Sequence, residues 1–187
     1  MADVTYLTGH LLIAMPAMAD PNFVRTVTYI CEHTDQGALG IVINRPLDMD
    51  MGEVFEQLSL QPADAQAAKQ IVMRGGPVQT ERGFVLHEPV RKWDSTVEVS
   101  DTVHLTTSQD ILTALAEGTG PKRSLMALGY AGWGAGQLES EMVANAWLSV
   151  PASAQILFDT PIEARWTAAA GLLGINVATM SSEAGHA

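Results

Sequence analysis

The sequence contains a single cysteine, Cys31, among its 187 residues. One thiol can form neither an intramolecular disulfide nor the multi-cysteine ligand sets of structural zinc and iron–sulfur sites. Disulfide-rich secreted folds and cysteine-rich metal folds are therefore excluded. The same scarcity fits a reducing compartment, and we expect a protein with no bound metal and no cofactor.

Positive charge is also scarce in this chain. Lys and Arg together number 10 against 21 Asp and Glu, so the formal net charge is -11 at pH 7. Proteins that hold DNA, RNA or anionic membranes neutralise phosphates with clustered basic side chains. The charge balance therefore counts against direct DNA binding and against a membrane surface as a partner.

Long hydrophobic runs are absent as well. The apolar stretch at residues 11–19 is interrupted by Pro16, and it is preceded by Asp3 and His10 rather than by basic residues. A membrane span needs about 20 consecutive apolar residues, and a secretory signal needs a positively charged segment before its apolar region. These features predict a cytoplasmic protein without a membrane segment.

The overall composition is that of a globular protein. Hydrophobic residues supply 47% of the chain and charged residues 17%. A chain of this length can bury roughly 70% of the surface that its unfolded form exposes, which is enough for a proper core. We predict a single domain over residues 1–180, followed by a disordered tail at residues 181–187.

Strand signals and helix signals interleave irregularly along the chain. Val27, Tyr29 and Cys31 alternate with their neighbours, and a turn-forming cluster separates them from a second apolar run at residues 38–44, which predicts a β-hairpin. Further strand-like pieces lie at residues 71–73, 83–87, 97–99, 103–105 and 125–130. The pattern predicts an α+β fold in which helices pack outside a curved, mostly antiparallel sheet.

Three positions are predicted to begin helices. Asp50 precedes a short amphipathic stretch, and Ser108 precedes a longer one that Gly118 closes. Thr160 and Glu163 are spaced as a capping box, with a proline between them at the first helical position. Each of these residues offers a side-chain acceptor or a backbone conformation that helix ends require.

The glycine-rich segment at residues 129–136 is the first candidate binding element. Its glycines, including Gly132, follow a strand and precede a helical stretch, as in phosphate-binding loops. The dinucleotide pattern fails, however, because Gln137 stands where the third glycine belongs, and the first helical turn carries Glu139. The alternative interpretation is a glycine-rich turn that lets Trp133 pack closely.

Cys31 and His33 form the second candidate. Two residues apart on a strand, they are expected on the same face, where an imidazole could activate a thiolate. This pattern supports a cysteine-dependent hydrolase or transferase as one hypothesis. The alternative is that Cys31 is a packing residue of a buried strand, as single cysteines usually are.

Asn44 and Arg45 form the third candidate, at the predicted end of the second hairpin strand. An Asn amide and a guanidinium fork beside a rigid Pro46 can hold a carboxylate or a phosphate bidentately. The alternative is that Asn44 caps the strand end while Arg45 pairs with one of the many acidic residues. Because the chain has so few basic residues, Arg45 remains a candidate for binding an anion.

Several of these segments resemble the YqgE/AlgH family of bacterial proteins. The run YICEH at residues 29–33 and the run GALGIVINRP at residues 37–46 look like its signature. Six further segments fit in the expected order: GHLLIAMP at 9–16, GGPV at 75–78, SQDIL at 108–112, GYAGW at 129–133, NAWL at 145–148 and FDTP at 158–161. The resemblance therefore spans nearly the whole chain.

The resemblance implies a compact α+β fold with a sheet curled towards a pseudo-barrel and helices outside. It also implies a cytoplasmic bacterial protein, and some members carry the label of transcriptional regulator after an effect on alginate production. No established catalytic residue, cofactor or substrate comes with the family.

Composition, motifs and resemblance together predict a non-catalytic accessory or regulatory protein. Its partner is expected to be a small anionic ligand or another protein, bound near Asn44, Arg45, His33, Gly132 or Trp133. A direct transcriptional regulator and a Cys31-dependent enzyme are the two alternative hypotheses.

Overall fold

A computed structural model of the protein describes residues 6–16, 18, 20, 21 and 23–174. The strands are β1 His10–Ala14, β2 Val27–Thr34, β3 Gly37–Val42, β4 Pro46–Asp50, β5 Ile71–Arg74, β6 Val78–His87, β7 Thr96–Glu98, β8 His104–Thr106, β9 Ser124–Gly134 and β10 Trp147–Pro151. The helices are α1 Met51–Gln57, α2 Ala65–Lys69, α3 Asp110–Glu117, α4 Gln137–Val143, α5 Ala154–Phe158 and α6 Arg165–Gly171, with a 3-10 turn at Ile162–Ala164 before α6. The predicted tail at residues 181–187 lies outside the described residues.

The strands form one curled, mostly antiparallel sheet, which confirms the predicted α+β class. Its order is β10-β1-β2-β3-β9-β6-β8-β7, and β4 and β5 join it beside β9. Among the strand pairs of the described residues, only β5 with β9 is parallel. The predicted hairpin is confirmed as β2 and β3. In the described part of the chain, no helix is long and apolar enough to span a membrane.

Apolar side chains pack in three clusters on the two faces of this sheet. The largest contains residues of β1, β2, β3 and β9 together with α5 and α6, including Tyr29, Ile41 and Trp166. On the other face, α1 and α3 cover one half of the sheet and α4 covers the other half. Burial on both faces explains why β9 is apolar almost throughout and why most residues of β2 are buried, its threonine Thr28 included.

Strand β9 lies at the centre of the sheet, and the face to which its odd-numbered side chains point changes at Gly129. Before this residue, Leu125 and Ala127 belong to the large cluster, whereas after it Ala131 and Trp133 belong to the α4 cluster. Gly129 has a φ of +81°, a conformation that glycine adopts at little cost. The predicted strand at residues 125–130 is confirmed and extends to Gly134, so the alternative interpretation of a glycine-rich turn is wrong for residues 131–134, which pair with β3.

A close approach between two backbone segments explains why residues 75 and 76 are both glycine. These two residues cross β9 so tightly that a Cβ on Gly76 would overlap the backbone of Tyr130, and one on Gly75 would overlap the carbonyl of Gly129. The crossing is held by hydrogen bonds from Gly75 N–H to the Leu128 carbonyl and from Val42 N–H to the Gly75 carbonyl, both 2.8 Å. The pair therefore permits backbone-to-backbone packing.

One of the three predicted helix starts is confirmed. Asp50 and Glu53 form a reciprocal capping box at α1. Ser108 is not the cap of α3, because its hydroxyl donates to Asp110 and accepts from Ser95 N–H instead.

The predicted capping box at Thr160 was also wrong. The Thr160 hydroxyl donates to the Gln155 carbonyl at 3.0 Å and so closes the end of α5 rather than capping a new helix. The chain then passes through the 3-10 turn, and α6 begins only at Arg165.

Candidate functional site

A β-bulge separates Cys31 from His33. Strand β3 pairs Gly40 with Ile30 and Leu39 with Glu32, so that Cys31 is an extra residue on β2. Such an insertion interrupts the alternation of side chains. Cys31 consequently packs in the large cluster with Tyr29, whereas His33 contacts the segment before β1 and α4 on the other face. The expectation that the two side chains share a face was wrong.

Cys31 has the environment of a packing residue. Its side chain is buried, and its sulfur lies 3.9 Å from the Tyr29 carbonyl oxygen. Burial, reinforced by the nearby Glu32 carboxylate, raises the pKa of the Cys31 thiol to about 12. The thiolate required of a nucleophile is therefore scarce at neutral pH.

We expect the folded protein to resist alkylation of Cys31. A rise in pKa from 9.0 to about 12 lowers the thiolate fraction at neutral pH by about a thousandfold, before steric protection is counted. Iodoacetamide at pH 7.5, followed by mass spectrometry, should modify the native protein at least about 100-fold more slowly than the urea-unfolded chain. Alkylation of the native protein at the unfolded rate would contradict this assignment and revive a reactive cysteine.

His33 is buried and has partners on both ring nitrogens. Its Nδ1 accepts a hydrogen bond from Leu7 N–H, and its Nε2 lies 2.9 Å from Glu139 Oε1 on α4. Because a backbone N–H can only donate, the ring proton belongs on Nε2, where it is donated to the carboxylate. This hydrogen bond lowers the pKa of Glu139. His33 thus connects the segment before β1, the hairpin and α4.

Gly132 and Trp133 lie in β9 beside the hairpin. Both line an open groove of about 440 Å³, whose other residues include Glu32, Leu39 and Tyr130. The indole of Trp133 is buried and donates its N–H to Glu141 Oε1 at 3.1 Å. The same oxygen accepts the N–H of Trp147 at 2.9 Å. The structure therefore brings His33, Gly132 and Trp133 to one end of the hairpin.

Asn44 and Arg45 lie beyond the other end of β3. Asn44 Oδ1 accepts from Val27 N–H, and Asn44 Nδ2 donates to the Arg25 carbonyl, both at 2.9 Å. Asn44 therefore caps the strand end, as the alternative interpretation of this motif predicts. Arg45 donates from its two terminal nitrogens to the carbonyls of Pro21 and Val24 at 2.7 and 2.8 Å, rather than to a carboxylate.

Three further arginines gather around the junction of β3 and β4. The exposed Arg25 follows the Val24 carbonyl and lies over the ring of Trp166, with 5.3 Å between its guanidinium carbon and the ring centroid. Arg74 N–H donates to the Arg45 carbonyl at 2.7 Å, and Arg165 donates to the carbonyls of Ile43 and Thr160. We call Arg25, Arg45, Arg74 and Arg165 the arginine cluster.

The ion pairs between described residues lie outside the arginine cluster. They join His33 to Glu139, Lys92 to Glu98 and Arg123 to Asp159. Within the cluster, Arg165 is buried, and desolvation lowers its pKa although the nearby Glu163 acts in the opposite direction. Four of the chain's 10 basic residues thus converge on one junction of a protein whose net charge is -11.

A small hollow lies beside two of these arginine residues, Arg45 and Arg74. It is lined by Val42, Arg45, Arg74, Gly76 and Pro77, and its free volume is about 10 Å³. A space of this size admits about one oxygen-sized group. The sequence predicts Arg45 as a binding residue but not Arg25, Arg74 or Arg165. These three lie in no recognisable motif, and the scarcity of basic residues is the only sequence signal that could have drawn attention to them.

Comparison with known proteins places this fold in a family. A family model described as AlgH-like matches residues 11–178. The chain belongs to the AlgH-like family. The resemblance drawn from the motifs is thereby confirmed.

Relatives of this AlgH-like chain cover almost its whole length. A UPF0301 protein of Saccharophagus degradans is 57% identical over 97% of this chain and 89% of its own length. A UPF0301 protein of Nitrosococcus oceani is 50% identical, with 100% of both chains covered.

Two solved structures share the AlgH-like architecture. The solution structure of the AlgH protein from Pseudomonas aeruginosa is 54% identical and superimposes with a TM-score of 0.79, covering 100% of this chain and 99% of that chain. A crystal structure of a Corynebacterium diphtheriae protein is 18% identical, with a TM-score of 0.74 over 97% of this chain and 94% of that chain, and it shares the fold.

Proposed function

We propose that this AlgH-like protein is a non-catalytic cytoplasmic accessory protein that binds a small anionic ligand at the arginine cluster. The observation that carries the proposal is the convergence of four of the chain's 10 basic residues on one junction of a strongly acidic protein. A site of positive potential in such a protein selects for negatively charged groups. Asn44 and Arg45 are the residues from which the site is built.

Arg45 is held in a fixed orientation that suits recognition of a planar anion. A guanidinium has five N–H donors, and Arg45 directs two of its terminal nitrogens to the carbonyls of Pro21 and Val24. The guanidinium keeps further donors beyond these two bonds, and residue Arg45 lines the same hollow as the exposed Arg74. A carboxylate or phosphate oxygen held at the hollow would lie beside two arginine residues, whose guanidinium groups pair strongly with such anions.

The environments of Cys31 and His33 support a binding protein over an enzyme. The thiol is buried with a raised pKa, and the imidazole is committed to Leu7 and Glu139 on the other face of the sheet. Direct DNA recognition also gains no support, since it requires an extended basic surface rather than one small cluster. We therefore favour a regulatory effect that passes through a bound ligand.

The test is a thermal-shift titration with inorganic phosphate, citrate, succinate and nucleoside monophosphates. A ligand at 100 times its Kd adds about 2.7 kcal/mol, which raises the Tm of a domain of this size by roughly 5–10 °C. We expect at least one anion to produce this shift and Arg74→Ala to abolish it. Lys122→Ala, which removes the same charge from an exposed residue elsewhere, should leave the shift intact.

Two results would contradict the proposal. One is a panel in which no anion changes the Tm of the wild-type protein. The other is a shift that Arg74→Ala and Lys122→Ala reduce equally, because the effect would then reflect overall charge. Tight, salt-sensitive binding to a specific duplex would instead favour direct transcriptional control.

A further inference from the structure

A cleft separate from the arginine cluster lies between α1, β6 and the start of α3. Its volume is about 420 Å³, within the range of small-molecule sites. The elements that line it are α1 and its flanks, the middle of β6, the loop from β8 to α3, and β9. We call it the α1–α3 cleft; its residues are Met49, Val54, Gln57, Leu58, residues 80–83, Val85, residues 106–109, Leu112, Met126 and Leu128.

The floor of the α1–α3 cleft is apolar. Val54, Val85, Leu112 and Met126 are buried members of the cluster between the sheet and the helices α1 and α3. Leu128 packs against the same cluster and remains partly accessible. A ligand with an apolar body would therefore remove hydrophobic surface of its own and of the protein from water.

An interruption of β6 opens one wall of the cleft. Val78 pairs with Tyr130, and Gly83 pairs with Leu128. The two paired residues are five positions apart on β6 but only two positions apart on β9, so β6 carries extra residues here. The intervening residues leave the ladder, and Gln79 adopts a φ of +45°. Gly83 lets β6 approach the cleft floor closely, because a Cβ there would lie only 3.0 Å from the terminal methyl carbon of Met126 and would crowd it.

The rim of the cleft carries polar side chains that form no hydrogen bond with any other described residue. The side chains of Gln57, Thr80, Thr107 and Gln109 make no hydrogen bond within the described residues. Together they offer carboxamide and hydroxyl groups, which both donate and accept. The charged rim residues, Glu81 and Arg82, carry opposite signs, so the mouth of the cleft has no net charge.

From these features we infer that the α1–α3 cleft binds a small amphipathic molecule with an apolar body and an uncharged hydrogen-bonding head. The apolar body lies on the floor formed by Val54, Leu112 and Met126. The head reaches the carboxamides of Gln57 and Gln109 at the rim. An ionic head would find no excess of opposite charge there to replace its lost hydration.

The experiment compares three probes of equal chain length by isothermal titration and two-dimensional NMR. Octanamide is neutral, octanoate is negative and octylammonium is positive. We expect octanamide to bind at least about 10-fold more tightly than either ion, because desolvating an unpaired charge is costly. Its amide chemical-shift changes should centre on residues 80–85, 106–112 and 126–128. Equal or tighter binding of an ion, absence of octanamide binding, or shifts centred elsewhere would overturn the inference.

A matched pair of variants tests the location. Gly83→Leu places a side chain against Met126 and Leu128 inside the cleft, and we expect it to weaken octanamide binding by at least about 10-fold. Gly171→Leu adds the same side chain at the end of α6, where nothing lies within 4 Å of the new Cβ, and should bind as the wild type does. Unchanged affinity in Gly83→Leu would overturn the inference.

A rim variant keeps the test decisive if Gly83→Leu fails to fold. Gln109 is exposed and its side chain does not cap α3, so we expect Gln109→Leu to fold as the wild type does. Loss of its hydrogen bond should reduce octanamide affinity about 3- to 10-fold while leaving Arg74-dependent anion binding unchanged. Undiminished octanamide binding by Gln109→Leu would contradict the assigned position of the head.

Discussion

Replacing Gly76 by alanine is expected to abolish stable folding. The added Cβ would overlap the carbonyl group of Tyr130 and the nitrogen of Ala131, which are backbone atoms that no side-chain rotation can move aside. The chain would have to lift off β9, breaking the hydrogen bond from Gly75 N–H to the Leu128 carbonyl and disturbing the pairing of β5 with β9. We expect the free energy of unfolding to fall by more than about 4 kcal/mol, measured by urea denaturation of any folded fraction.

Gly171→Ala provides the matched control for this experiment. Gly171 ends α6, nothing lies within 4 Å of the position that a Cβ would occupy there, and alanine favours helices over glycine by up to about 1 kcal/mol. The control should be as stable as the wild type or slightly more so. If Gly76→Ala unfolded within about 1 kcal/mol of Gly171→Ala, the tight crossing of β9 would be refuted.

The second large effect is expected at Glu141. One carboxylate oxygen accepts the indole N–H groups of both Trp133 and Trp147, whose rings are buried and meet edge to face at 6.1 Å. Glu141→Ala would leave two buried donors without a partner. Each such donor costs about 1–3 kcal/mol, so we expect a loss of about 2–6 kcal/mol in urea unfolding, together with an altered tryptophan fluorescence spectrum.

Glu141→Gln distinguishes the contribution of the two indole hydrogen bonds from that of the negative charge. Its amide oxygen can still accept from both indoles, so we expect this variant to lose less than half as much stability as Glu141→Ala. Glu56→Ala removes an exposed carboxylate from α1 and should change stability by no more than about 0.5 kcal/mol. Equal stability of Glu141→Ala and Glu56→Ala would contradict the bridging role.

The sequence predicts the hairpin well because its signal is local. Alternation in residues 27–31 and the turn after His33 define β2 and β3 without reference to the rest of the chain. The bulge at Cys31 has no such signal, because a bulge is recognised only when the partner strand is known. That single inserted residue decides which face His33 occupies, and with it whether a thiol–imidazole pair exists.

Long-range contacts explain the remaining differences. The glycines of residues 129–134 are typical of turns, yet they lie in a strand because the Gly75–Gly76 segment and two neighbouring strands approach β9 closely. The arginine cluster combines side chains from four distant segments, of which only Arg45 stands in a distinctive local motif. The family resemblance compensates for part of this, since it predicts the curled sheet as a whole.

The central position of β9 has a consequence for biosynthesis. β3, β5 and β6 all pair with this strand, although all three precede it in the chain. During translation, neither half of the sheet can complete its ladder until Gly134 has left the ribosomal exit tunnel. Between their own emergence and that of β9, the strands β3, β5 and β6 therefore expose unpaired edges, and such edges are prone to aggregation until they are covered.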